Sequence, residues 1–148
     1  EIERKYLIHT IPFDLSSFPF RTIEQGYLCT NPVVRIRKDN DRYELTYKSR
    51  GMMIREEHNL PLTAEGYEHL KTKIEESASK NCYMIPLSDS LTIELDIFSG
   101  KLSGLQIAEV EFADAMSAEH FTPPDWFGED VTFCPQYHNS ALSQMKLL

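Results

Sequence analysis

Glu1-Ile2-Glu3-Arg4-Lys5 opens the chain. On a strand, positions two apart share one face. Glu1, Glu3 and Lys5 therefore form a row of two carboxylates and an ammonium, with Ile2, Tyr6 and Ile8 adding apolar and β-branched character nearby. A solvated surface explains one such strand, but the arrangement recurs along the chain. Arg35 and Arg37 align, with Val34 and Ile36 opposite. Glu44, Thr46 and Lys48 align against Leu45 and Tyr47, and Arg55, Glu57 and Asn59 form another row. Thr92, Glu94 and Asp96 oppose Leu91, Ile93, Leu95 and Ile97, and Glu109 and Glu111 oppose Ala108, Val110 and Phe112.

Turn chemistry divides these rows into strands. Extended segments are expected over residues 1–10, 21–29, 33–38, 42–49, 53–62, 81–86, 91–98 and 104–113. They are separated by Thr30-Asn31-Pro32, Asp39-Asn40-Asp41 and Arg50-Gly51 among other turn signals. Thr63 has the character of an N-cap, and Tyr67, Leu70 and Ile74 follow at helical spacing, so an amphipathic helix is expected over 64–77. Shorter helices are expected over 115–121 and 140–148, the last with Leu142 and Met145 facing inward. Trp126 and Phe127 are expected to pack on the outside of the sheet. Eight strands separated by turns predict a mainly β fold: one closed, eight-stranded antiparallel barrel over residues 1–148, with helices outside.

Alternating charge has two structural solutions. The ordinary one is a sheet with a wet outer face and an apolar inner face. The other turns the sheet inside out, so that charged faces line a lumen and helices cover the apolar faces. Dense charge favours the second, as do rows of one sign, the basic pair Arg35 and Arg37 and the acidic pair Glu109 and Glu111. Buried charges need partners. A polyanion with divalent cations would complete the set. Arg35 and Arg37 can grip phosphate oxygens with paired N–H donors, and Lys5, Lys48 and Arg55 add positive charge from other walls. Clustered carboxylates are hard oxygen ligands suited to Mg²⁺ or Mn²⁺.

Composition narrows the partners. The formal net charge of −8 disfavours nucleic acid and anionic membranes. No apolar run approaches the roughly 20 residues of a membrane span. Cys29, Cys82 and Cys134 show no paired spacing and read as reduced thiols of a cytoplasmic protein. His9, His58, His69, His120 and His138 lack metal-ligand spacing and read as structural or exposed.

The opening five residues resemble the ExExK signature of the CYTH family, the triphosphate tunnel metalloenzymes. The resemblance continues in order through Ile23–Leu28, Val34-Arg35-Ile36-Arg37, Leu45-Thr46-Tyr47-Lys48, Glu94-Leu95-Asp96-Ile97-Phe98, Ala108-Glu109-Val110-Glu111-Phe112 and Tyr137-His138-Asn139-Ser140, covering essentially the whole chain. It implies an eight-stranded tunnel and hydrolysis of inorganic, thiamine or nucleoside triphosphates, or cyclisation of ATP, with Mg²⁺ or Mn²⁺. It further implies that Lys5, Arg35, Arg37, Lys48 and Arg55 hold a small triphosphate. Metal would fall to Glu1, Glu3, Glu109 and Glu111, helped by Glu57 and Asp96, with Glu1, Glu3 and Lys5 as the catalytic set. A divalent-metal-dependent triphosphatase is the expectation; the alternatives are a class IV-type adenylate cyclase and a binding protein with weakened catalysis. Three departures bear on that choice. Cys82 stands in Lys80-Asn81-Cys82-Tyr83 where many members carry Arg, Cys134 and Gln136 replace an Asp and an Arg, and Asn59 replaces a Glu. Loss of one charge-assisted phosphate contact costs on the order of 1.5–3 kcal/mol, roughly tenfold to a hundredfold in binding.

Overall fold

The structure, a computed structural model, describes residues 1–144 except 75 and 89. Its strands are β1 (Glu3–Leu7), β2 (Phe20–Thr30), β3 (Val33–Asp39), β4 (Arg42–Lys48), β5 (Glu57–Pro61), β6 (Ser77–Pro86), β7 (Thr92–Ser99) and β8 (Gln106–Glu111). The helices are α1 (Ala64–Lys71), α2 (Ala115–Glu119) and α3 (Asn139–Gln144). One eight-stranded sheet runs β1-β8-β7-β6-β2-β3-β4-β5, and every neighbouring pair is antiparallel.

The expected closed barrel is not formed. The sheet is open and strongly curled, a half-barrel whose edges stand 12 Å apart. The reason lies in the segment before β5. A strand is expected from residue 53, but Met53 and Arg55 bond to the N-terminal segment instead. Glu3 N–H donates to Met53 O at 3.0 Å and Arg55 N–H donates to Glu1 O at 2.8 Å, around an isolated Ile2–Ile54 bridge. Only from Glu57 onward does the chain pair with β4. The two sheet edges are therefore stitched at one point, and no β1–β5 ladder forms among the described residues.

The 64–77 helix is also shorter than expected, ending at Lys71. Thr63 caps its start by accepting from Gly66 N–H at 2.9 Å. At the other end, Thr72 and Lys73 fold back on His69 O and Leu70 O through i→i−3 bonds. Ser77 and Ala78, expected at the helix end and just beyond it, join the β6 ladder opposite Gly26 and Gln25. The β3–β4 hairpin is tight, with Asn40 at φ 52°, a left-handed position that asparagine tolerates. Met145 lies outside the described residues.

The two faces of the sheet differ as the alternation requires. On the convex side Ile85, Ile93, Leu95, Ala108 and Val110 form a buried cluster, covered by Phe13, Phe121, Trp126 and Phe127. The convex side of β3 and β4 packs against α1, where buried Tyr67 meets Tyr43 at a ring separation of 5.2 Å. A second cluster, Ala78, Phe98, Leu102, Ile107 and Leu142, brings α3 against β6 and β2.

Candidate active site

A cavity of about 440 Å³ lies on the charged face, lined from every part of the sheet. Glu1 and Glu3 come from the N-terminal segment and β1, Glu109 and Glu111 from β8, Glu94 and Asp96 from β7, and Lys80 and Cys82 from β6. Arg21 and Ile23 come from β2, Arg35 and Arg37 from β3, Lys48 from β4, Glu57 and Asn59 from β5, and Asn139 from the start of α3. Together the sheet and the start of α3 bring residues as far as 138 positions apart to one cavity.

The acidic half spans β1, β8 and β7. Glu3 lies directly opposite Glu111, and Glu109 directly opposite Glu94, so like charges face each other on three adjacent strands. Such pairs repel unless a cation intervenes. Burial raises the Glu3 carboxyl above the usual range, and Glu109 and Glu1 raise it further. Burial, then Glu109 and Asp96, push Glu94 up to about 7. Burial acts the same way on Glu109, but Lys5, Lys80, Lys48 and Arg37 outweigh it and hold this carboxylate low. Glu1 is raised by burial against the pull of Lys48, whose Nζ lies 3.0 Å from its Oε2.

The basic half is β2 to β4. Buried Arg35 donates through Nη2 to Thr46 Oγ1 at 3.2 Å, and Thr46 Oγ1 donates to Asn59 Oδ1 at 2.6 Å. Arg37 donates through Nε to Gln25 Oε1 at 2.9 Å. Both guanidiniums are thus held by neutral partners, and neither has a carboxylate within salt-bridge distance among the described residues. Burial and the neighbouring Arg35 lower the Arg37 pKa against the weaker pull of Tyr27, Asp96 and Glu109.

The remaining expected residues sit at the margins. Lys5 shares the charged face with Glu3 but is buried and does not line the cavity, its Nζ 3.4 Å from Glu109 Oε1 and donating to Tyr137 O at 3.4 Å. Arg55 does not line the cavity. It lies at a narrow neck with Tyr27, Val33, Arg35, Lys48, Asn139 and Ser140, 3.9 Å from Glu1. Lys80, outside the expected set, also faces the cavity because β6 begins at Ser77, and its Nζ meets Asp96 Oδ2 at 2.6 Å. Besides Asn59, Lys80 and Cys82, the polar lining residues outside the expected set are Arg21, Glu94 and Asn139. Glu94 is visible in the Thr92-Glu94-Asp96 row. Arg21 shares its parity with Ile23 and Gln25, a mixed row with no charge signal.

The donor set can be tested against a divalent ion. Among the described residues, no three His, Cys, Asp or Glu side chains converge into a ready-made metal cage. The oxygens nevertheless suit a hard cation: Asp96 Oδ1 is buried and makes no hydrogen bond, and Glu109 Oε1 has only the Lys5 ammonium at 3.4 Å. Mg²⁺ commonly binds through one or two carboxylates plus water and substrate phosphate oxygens, without a closed protein cage.

Fold and site together define a curled antiparallel sheet that gathers two guanidiniums without a contacting carboxylate opposite crowded acidic side chains, the architecture of a phosphate-processing enzyme. No family model matches the chain. An inorganic triphosphatase of Nitrosomonas europaea is 39% identical over 148 residues, covering 97% of this chain and 96% of that protein. An inorganic triphosphatase of Acetivibrio thermocellus is 33% identical over 147 residues, covering 96% of this chain and 92% of that protein. A crystal structure of an inorganic triphosphatase superposes over the whole of both chains with a TM-score of 0.75 at 36% identity. The chain belongs to the CYTH family of triphosphate tunnel metalloenzymes and is a triphosphate-acting phosphohydrolase of that family.

Proposed function

We propose that this chain hydrolyses inorganic triphosphate with Mg²⁺ or Mn²⁺ as cofactor, and that residues 1–148 form one domain devoted to that reaction. The observation that carries the reading is the pair Arg35 and Arg37, both facing the cavity and both held by neutral side chains. A condensed phosphate supplies the negative charge they lack, with oxygens spaced for guanidinium forks. The names of the two relatives agree with this substrate.

In this reading Arg35, Arg37 and Lys48 bind phosphate oxygens directly. Lys5 and Arg55 supply positive charge from just outside the cavity lining. Glu1, Glu3, Glu109 and Glu111 would hold the metal, with Glu57 and Asp96 contributing, and Glu1, Glu3 and Lys5 form the catalytic set. The bound metal supplies neutralisation of phosphate charge and polarisation of a water. Arg35 and Arg37 would fix the phosphate chain with its terminal phosphorus in line between an attacking water and the departing pyrophosphate.

Cyclisation of ATP needs a surface for the base and ribose. The cavity lining contains no aromatic side chain, and Ile23 is its one branched aliphatic among the described residues. This favours the compact anion. Among the described residues no helix is long and apolar enough to cross a membrane. The free thiols Cys29, Cys82 and Cys134 fit a cytoplasmic setting.

Phosphate release from inorganic triphosphate and from ATP, with Mg²⁺, Mn²⁺ or EDTA and with cyclic AMP measured in parallel, tests the reading. Metal-dependent release from inorganic triphosphate that is lost in Glu111→Ala is expected. Cyclic AMP as the main product, or binding without turnover, would overturn it.

A further inference from the structure

Cys82 lies directly opposite Arg21 in the β2–β6 ladder. The thiol is buried, and burial, followed by Asp96 and Glu94, raises its pKa. It is therefore neutral at physiological pH and offers an anion nothing. Being short, it also leaves the wall in front of it free. Arg21 fills that space: its Nη2 lies 3.8 Å from Cys82 Sγ, and both side chains line the cavity.

The Arg21 fork is only partly used. Nη1 is held by Asp39 Oδ2, Nη2 faces a thiol, which is a weak acceptor, and Nε is buried without a hydrogen-bond partner. An ion pair with Asp39 alone accounts for Nη1 and for nothing else. The side chain is 35% exposed, and the cavity is one of the surfaces it faces. On the same wall Lys80 sets its ammonium 2.6 Å from Asp96 Oδ2, while Arg21 keeps Nη2 without a strong acceptor and Nε without any.

We propose that Arg21 is a phosphate-binding residue of this chain, delivering over the small side chain of Cys82, from the neighbouring strand, a guanidinium that position 82 does not supply. The expected weakening at Cys82 is then offset by β2. This inference rests on the triphosphate reading above and adds a residue to it.

The test is steady-state phosphate release from inorganic triphosphate with Mg²⁺ by the parent, Arg21→Gln, Asp39→Asn and the double variant Arg21→Gln/Cys82→Arg, with thermal unfolding of each. Arg21→Gln is expected to raise KM ~10- to 100-fold, the value of one charge-assisted contact, with a smaller effect on kcat. Asp39→Asn breaks the same ion pair but keeps the guanidinium, so KM should hold within about twofold. The double variant should recover at least ~10-fold of the lost KM. If Arg21→Gln does not fold, Arg21→Lys, which keeps the charge and loses the fork, takes its place and should still raise KM. Equal losses in Arg21→Gln and Asp39→Asn without recovery by Cys82→Arg, or an unchanged KM in Arg21→Gln, would overturn the proposal while leaving the parent a triphosphatase. A parent with no turnover of inorganic triphosphate overturns the triphosphate reading itself, and Arg21 with it.

Discussion

Replacing Lys80 by Met removes the hydrogen-bonded partner of a buried carboxylate. Lys80 Nζ lies 2.6 Å from Asp96 Oδ2, and the two side chains are 4% and 2% exposed. The other oxygen, Oδ1, has no hydrogen bond. Burial already raises the Asp96 pKa, and Lys80 is the strongest influence pulling it back. Without the ammonium, Asp96 must either remain charged in a low-dielectric wall or take up a proton. Protonating an unperturbed Asp, which titrates near pH 3.9, costs about 4 kcal/mol at pH 7 at roughly 1.36 kcal/mol per pH unit, and this sets the ceiling on the loss. The expected destabilisation of Lys80→Met at pH 7 is therefore about 3–4 kcal/mol. In the variant the folded-state pKa of Asp96 lies above its unfolded value, so the deficit relative to the parent shrinks as pH falls toward the unfolded pKa. Lys80→Met/Asp96→Leu leaves neither charge and should regain most of the loss. Urea unfolding followed by circular dichroism at about pH 7 and about pH 4.5 reads all three. A loss below about 1 kcal/mol at pH 7, or no recovery in the double variant, would show that the pair is solvated rather than buried.

Two further outcomes follow from single contacts. His138 donates through Nε2 to Thr132 O at 2.9 Å, and burial followed by Lys5 depresses its pKa to about 4. The unfolded chain then binds the extra proton first, so stability is intact above pH 6.5 and falls by roughly 3 kcal/mol as pH drops from about 6.5 to 4. His138→Gln should flatten that portion of a stability-versus-pH curve; an unchanged slope would contradict the assignment. A Cβ at Gly26 would stand 2.8 Å from Ile74 Cγ2, so Gly26→Ala should cost about 1–3 kcal/mol and Ile74→Ala should relieve part of it, both read by thermal unfolding.

The sequence carries the charged rows because a strand repeats every two residues, and a row such as Thr92-Glu94-Asp96 announces its own face. It also carries α1, whose N-cap Thr63 and buried Tyr67 are local signals. Closure of the sheet is not legible, because it depends on where residues 53–55 bond. Their alternation fits a β4 partner as well as it fits the Glu1–Glu3 segment. The end of α1 is hidden for a related reason: Ser77 and Ala78 have helical neighbours in sequence but ladder partners 51 and 53 residues away, Gly26 and Gln25. Arg21 gives no signal because its importance comes from the residue across the ladder, Cys82, and parity within one strand does not report on a neighbour.

The most direct test of a triphosphate held by Arg35 and Arg37 is kcat/KM for inorganic triphosphate in Arg35→Gln and Arg37→Gln. Each guanidinium contributes charge-assisted contacts to an anion that no carboxylate replaces, so each variant should lose about 10- to 100-fold or more. Variants that fold like the parent and keep kcat/KM within about threefold would show that the phosphate chain lies elsewhere.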